Sequence, residues 1–363
     1  MLNLEKYRDG RRCEKIAGRI SAILKGIKRK LCFMEVCGTH TMAIARSGIK
    51  KLLPKEVELI SGPGCPVCVT PQSAIDKSIE IAKIKDVIMV TFGDMVRVPG
   101  SRGSLEDAKR DGADIRVVYS CLDALRLAED NPLKRAVFMG VGFETTSPTV
   151  AAAVLEAKRR GLKNFFLLSN FKILFPALSA IASSDKVQVD GFICPGHVSV
   201  ITGTVPYEDI ASRFKKPCVI TGFDDIDIIK GIKRLIEQVR AKTYKVDIEY
   251  KRAVRKNGNR KARSILNVVF EAEDSNWRGL GIIKASGLRL RQEYKKFDAD
   301  KEFKVDTPKP ISHRGCICGE VLQGIKAPKD CRLFKKLCTP QAPVGPCMVS
   351  SDGTCAAYYK YGE

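Results

Sequence analysis

Val87-Ile88-Met89-Val90-Thr91-Phe92 runs straight into Gly93, and Ala136-Val137-Phe138-Met139 runs into Gly140-Val141-Gly142. Both are short apolar runs that end in a glycine loop. A strand with one wet face alternates apolar and polar side chains, whereas a strand covered on both faces does not. Outward from these two runs the same signature recurs at 57–60, 115–118, 165–168, 192–194 and 218–221. Segments with helical spacing lie between them, at 73–84, 105–111, 149–160 and 225–239. Strands alternating with helices predict an α/β protein with parallel sheets of the doubly wound kind. We expect two similar lobes, parted in the stretch that ends in Asp130-Asn131-Pro132. On this reading 1–125 is an N-terminal segment with the first lobe and 126–240 is the second. Residues 241–363 hold a hairpin, a linker and a cysteine-rich end. The hairpin is expected from 245–254 and 262–271, which alternate around Asn257-Gly258.

Composition narrows the class. Hydrophobic content of 44% with 29% charged residues is globular, and a 7% aromatic share with one Trp leaves an aliphatic core. No apolar run reaches the ~18–20 residues of a membrane span. Met1-Leu2-Asn3-Leu4-Glu5-Lys6 lacks the apolar stretch of a secretion signal, and Tyr359-Lys360-Tyr361-Gly362-Glu363 carries no lipidation motif. A soluble cytoplasmic protein is expected. The net charge of +22, from 63 basic and 41 acidic residues, raises nucleic acid as a partner. The basic residues are scattered, however, and the densest stretch, 251–261, reads as a turn. A lysine-rich solvated surface facing acidic protein partners is the better reading.

Cysteine says more. Six of the fourteen lie at or beyond Cys316. In a reducing compartment such clustering points to metal or redox chemistry, not to a disulfide framework. Further cysteines follow apolar runs, where ligands of parallel sheets gather. Gly62-Pro63-Gly64-Cys65-Pro66-Val67-Cys68 leads into a predicted helix, whose N-terminus stabilises a thiolate. A dithiol for redox or transient metal work is favoured over half of a structural zinc site, for which no second Cys-x-x-Cys exists. Cys37-Gly38-Thr39-His40 puts a thiol three residues from one of only three histidines, so both could reach one metal, unless His40 is an ordinary core histidine. Asp94 and Arg97 are candidate charges lining the site, or a loop ion pair. Gly140-Val141-Gly142-Phe143-Glu144-Thr145 imitates a dinucleotide fingerprint but lacks its third glycine. His197 lies just past another strand. Cys316, Cys318, Cys331, Cys338, Cys347 and Cys355 are interleaved with Gly and Pro. Four thiolates suffice for a [4Fe–4S] cluster, and the absence of tight pairs disfavours zinc.

Together these motifs resemble the HypD family, over nearly the whole chain. The carriers are the Cys37 and Cys65 motifs, Gly142-Phe143-Glu144-Thr145-Thr146, Pro195-Gly196-His197-Val198-Ser199, Cys338-Thr339-Pro340 and the run from Met348 to Tyr359. The resemblance implies two α/β lobes plus a C-terminal iron–sulfur region. It also implies a scaffold in [NiFe]-hydrogenase maturation. With the small partner HypC such a scaffold holds iron while two cyanides and one carbon monoxide are attached. HypE delivers the cyanide, and the Fe(CN)2CO unit passes later to the hydrogenase large subunit. By resemblance, Cys37 is the ligand of that iron and His40 its neighbour, and Cys65 and Cys68 form a thiol/disulfide pair. Cys316, Cys331, Cys338 and Cys355 hold the cluster, and Cys318 with Cys347 forms a second disulfide. Cys13, Cys32, Cys121, Cys194 and Cys218 are read as buried and inert. A stand-alone iron–sulfur thiol oxidoreductase is the alternative, which leaves Cys37 and His40 without a metal role.

Overall fold

The computed structural model describes residues 9–311, 313 and 315–362. Its parallel strands are, in chain order, β1 (Leu31–Glu35), β2 (Val57–Ser61), β3 (Val87–Thr91), β4 (Asp114–Val117), β5 (Arg135–Gly142), β6 (Phe165–Phe171), β7 (Gly191–Pro195), β8 (Cys218–Thr221) and β9 (Val246–Ile248). They form two sheets, ordered β2-β1-β7-β8-β9 and β4-β3-β5-β6, with every neighbour parallel. The expected α/β class with two parallel-sheet lobes is therefore what the chain forms.

Each sheet is covered on both faces. Ile88 and Val90 of β3 join one apolar layer with Phe138 and Phe165, while Val87 and Met89 join another with Val137 and Phe166. In the other sheet Leu31 and Phe33 face one layer and Met34 the opposite one. This is the side-to-side alternation of a strand, with both sides apolar.

The strands are not dealt out in two successive halves. β1 and β2 share one sheet with β7, β8 and β9, and the whole second sheet is inserted between them in the chain. The stretch expected to part the lobes is instead the helix Cys121–Asp130, which buries Ala124, Leu125 and Ala128. Ser120 and Asp123 close its N-terminus as a reciprocal cap, so Asp130-Asn131-Pro132 only ends a helix.

The hairpin also lies elsewhere. Residues 260–269 form the helix Arg260–Val269, started by Asn259, whose side chain accepts from Ala262 N at 3.0 Å. Arg260, Lys261 and Arg263 are exposed, while Ile265, Leu266 and Val269 pack on the core. That helical period overrides the Asn-Gly turn signal. The antiparallel pair is β10 (Phe270–Trp277) with β11 (Gly281–Leu290). At its tip the sole Trp, Trp277, is buried, donates from Nε1 to Ser286 Oγ at 2.8 Å and stacks on Phe143.

Beyond the hairpin, regular structure thins to short pieces such as Cys318–Leu322, Pro346–Val349 and the longer Thr354–Tyr361. Arg97 makes no loop ion pair with Asp94; its Nη2 donates to Pro340 O at 2.5 Å and ties this segment to the loop after β3. Among the described residues no helix is long and apolar enough to cross a membrane.

Candidate functional site

Both sheets place their second strand outside the first and their later strands on the other side. Such an order opens a crevice beyond the strand ends where the connections diverge. In the first sheet that point lies between β1 and β7, and in the second between β3 and β5. The loops leaving these four strands carry Cys37, His197, Asp94 and Glu144.

Cys37 sits between β1 and the helix Gly38–Ser47 and is 8% exposed. Its N–H donates to Glu35 Oε2 at 3.2 Å, and Thr41 Oγ1 donates to Glu35 Oε1 at 2.5 Å. Burial raises Glu35 to about 7, opposed by these bonds and one from Ser61. Burial likewise pushes the Cys37 thiol up to about 12, with the charges of Glu35 and Asp352 adding to it. The backbone N–H groups of His40 and Thr39 act in the opposite sense. A partner that supplies positive charge would therefore be needed to draw out the thiolate.

The His40 ring is wholly buried and bonded to the end of β8. Its Nε2 lies 2.9 Å from Gly222 O and 2.8 Å from Thr221 Oγ1. Its Nδ1 has no hydrogen-bond partner among the described residues. Burial lowers His40 to about 4, so the ring is neutral. Phe223 lies between His40 and the more exposed His197, with ring centroids 4.7 and 4.1 Å away.

Glycines let three distant segments meet here. Gly38 N donates to Gly64 O at 3.0 Å, and Gly62 N to Glu35 O at 2.8 Å. A Cβ on Gly64 would overlap the main chain of Val36 and Cys37, and one on Gly38 would overlap that of Asp352. Close main-chain approach is thus the reason for both glycines. Asp352 also accepts from Thr39 Oγ1 at 3.3 Å.

Cys65 caps the helical turn Pro66–Val69 that contains Cys68, their Cα atoms 5.2 Å apart and their sulfurs at disulfide distance. Cys68 Sγ faces Pro346 O at 4.0 Å. Cys318 and Cys347 lie with their sulfurs 2.8 Å apart. All four cysteines share one apolar cluster with Phe143, Trp277 and Leu322. Thiol hydrogen bonds from Cys316 and Cys347, helped by the Arg278 charge, hold Cys318 well below the usual thiol range. The same contact and burial raise Cys347.

Cys316, Cys318, Cys331, Cys338, Cys347 and Cys355 line a small cavity walled by Leu333, Phe334 and Met348. Its volume is about 20 Å³, room for one water. Among the described residues no three His, Cys, Asp or Glu side chains form a ready metal site. The donor chemistry suits a cluster, with thiols in an apolar wall and an N–H from Val344 reaching Cys338 Sγ at 3.4 Å. The loops would have to draw apart to admit one.

The remaining cysteines lie away from this convergence. Cys13, Cys121, Cys194 and Cys218 are buried and Cys32 is partly so; burial raises Cys13, Cys32, Cys121 and Cys194. Reading the sequence missed Glu35, Phe223, Asp352 and Arg278. Glu35 had a signal, a carboxylate ending an apolar strand. Arg278 donates to Thr70 O at 2.9 Å while its Nη2 has no partner among the described residues; its position beside the only Trp was the available hint.

Comparison with known proteins then gives the chain its relatives. The HypD family model, described as "Hydrogenase formation hypA family", matches residues 11–362. The chain is 44% identical over 369 residues to the hydrogenase maturation factor HypD2 of Bradyrhizobium diazoefficiens, covering 99% of this chain and 97% of that protein. It is 45% identical over 371 residues to HypD of Rhizobium leguminosarum bv. viciae, covering 100% and 96%. To HypD of Escherichia coli it is 45% identical over 351 residues, covering 96% and 94%.

Proposed function

The chain belongs to the HypD family, and from that premise we propose that it is the scaffold on which the Fe(CN)2CO unit of a [NiFe]-hydrogenase is assembled in the cytoplasm. The observation that carries this reading is the meeting of the Cys37, Cys65–Cys68 and Cys347–Cys355 segments at the open ends of the strands. Iron is the substrate here. Cys37 supplies one thiolate to it, and a HypC-like partner completes the coordination and supplies the charge that ionises Cys37. Thiolates are soft donors that suit low-spin Fe(II) carrying cyanide. His40, neutral and fixed by β8, faces the loop as a neighbour of the iron and not as its ligand.

A HypE-like donor carries cyanide as a thiocyanate. A thiolate of the Cys65–Cys68 pair attacks its sulfur, cyanide leaves to the iron, and a mixed disulfide forms. The second thiol of the pair then closes the Cys65–Cys68 disulfide and releases the donor thiol. Each cyanide thus consumes two electrons of the pair. Cys318 and Cys347, in the same apolar cluster, stand next in line to restore the dithiol. Cys316, Cys331, Cys338 and Cys355 would hold a [4Fe–4S] cluster, which when bound supplies one-electron transfer. The finished unit goes on to the hydrogenase large subunit.

Infrared spectroscopy of the protein purified anaerobically with its HypC-like partner tests this reading. Bands of metal-bound cyanide and carbon monoxide are expected. A complex with thiol–disulfide activity and no such bands would instead make the chain a stand-alone oxidoreductase.

A further inference from the structure

β2 is the outer strand of its sheet, paired only with β1. Leu31 N bonds Glu56 O and Gly62 N bonds Glu35 O, which turns the even-numbered residues of β2 toward β1. The N–H and C=O of Leu59 and the N–H of Ser61 therefore point away from the sheet, while Gly324 stands against Ser61 O, 3.3 Å from where its Cβ would be. Among the described residues no strand takes them up.

This edge is not bare surface. All five residues of β2 line a groove of about 460 Å³, whose opposite wall is the segment from Gly324 to Asp330 with Tyr358. Lys30, Lys50, Lys55, Lys326 and Lys329 stand around it, against Glu58 and Asp330. Lys50 donates to Tyr358 Oη and Lys326 is bridged to Glu320, whereas Lys30, Lys55 and Lys329 are exposed. Asp330 is engaged by Ala327 N at 2.8 Å. An open strand edge is a template for another strand, and lysines beside it repel a second copy of the same basic chain. An acidic segment gains from the same charges.

We propose that the β2 edge is a docking groove for an extended acidic peptide segment of a partner protein, which adds a strand to the sheet. Main-chain bonds to both groups of Leu59 and to the N–H of Ser61 give the pairing, and the lysine rim selects for Asp and Glu in the incoming strand. The docked strand would lie directly before Ser61-Gly62, where the chain enters the Cys65 loop. The proposal stands apart from the iron chemistry, since it needs neither Cys37 nor a cluster.

The test uses the full chain and a short fluorescent peptide of alternating Glu and Val. Anisotropy should show saturable binding, and hydrogen exchange should show new protection at the amides of Leu59 and Ser61. The same peptide N-methylated at every second amide should bind at least ~10-fold more weakly, because it loses its ladder donors. Lys55→Glu combined with Lys329→Glu, both at exposed positions, should also cost ~10-fold. Equal binding of the methylated peptide would show charge attraction without strand pairing and overturn the proposal. So would binding without protection at Leu59 and Ser61, or no binding at all.

Discussion

The Cys37 end of the site and the Cys338 end are built on different principles. At Cys37 the main chain does the positioning: Gly64 and Gly38 bring three backbones into contact, Glu35 ties the Cys37 amide, and the sheet that holds β1 and β2 stands behind. At Cys338 the thiols are arranged by turns and short helices, and their neighbours are largely other thiols. The first arrangement is fixed by main-chain bonds and close backbone contact. The second is a set of thiol donors around a space for one water. In the proposed function, the site that accepts and releases iron is framed by close backbone contacts, and a resident cluster would organise its own pocket.

The largest expected effect breaks the rigid side. Gly64→Ala puts a methyl into the backbone of Val36 and Cys37. It should lower unfolding free energy by about 3 kcal/mol or more, read from the urea midpoint. A wild-type midpoint would mean that the loop yields, and the contrast would weaken.

Next is a carboxyl positioned in the same way on the other lobe. Glu144 accepts from Leu174 N at 3.0 Å, and burial raises it from 4.5 to about 7. Between those values the folded chain keeps a proton that the unfolded chain has lost. Its contribution is thus present below about 4.5 and lost as pH rises through about 7. Glu144→Gln should remove that decline, a difference of about 3 kcal/mol across the window in pH-dependent denaturation. Parallel curves for both proteins would contradict the assignment.

On the softer side, anaerobic chelation should leave the lobes intact and expose the segment from Cys316 onward. Limited proteolysis there should speed up ~10-fold, with the lobe fragments unchanged. Uniform cleavage along the chain would count against a pocket organised by its bound group. The smallest effect belongs to cysteines outside both regions. Cys121→Ala should cost about 1 kcal/mol through lost packing and leave iron content unaltered.

The same contrast governs how far the sequence could be read. Two-sided burial is a local property, so runs such as 87–92 announced parallel strands and the α/β class. Which strands pair is not local: nothing in 31–35 signals that β7 will lie beside it. The helix Arg260–Val269 was misread because two strands flanking Asn257-Gly258 and one amphipathic helix share much the same apolar residues. Thiol motifs were legible because cysteine is rare and spacing carries chemistry. Asp352, Phe223 and Arg278 were not, since only the fold brings a common residue type to the site.

In the proposed function Cys37 and the C-terminal cysteines serve different irons. Cys37→Ala and Cys338→Ala, each purified anaerobically with the HypC-like partner, should be compared by infrared and visible spectroscopy. Cys37→Ala should stay brown, keep about four irons per chain in its cluster and lose the cyanide and carbonyl bands. Cys338→Ala should lose its colour. Cyanide and carbonyl bands at wild-type intensity in Cys37→Ala would contradict the assignment of the assembly site.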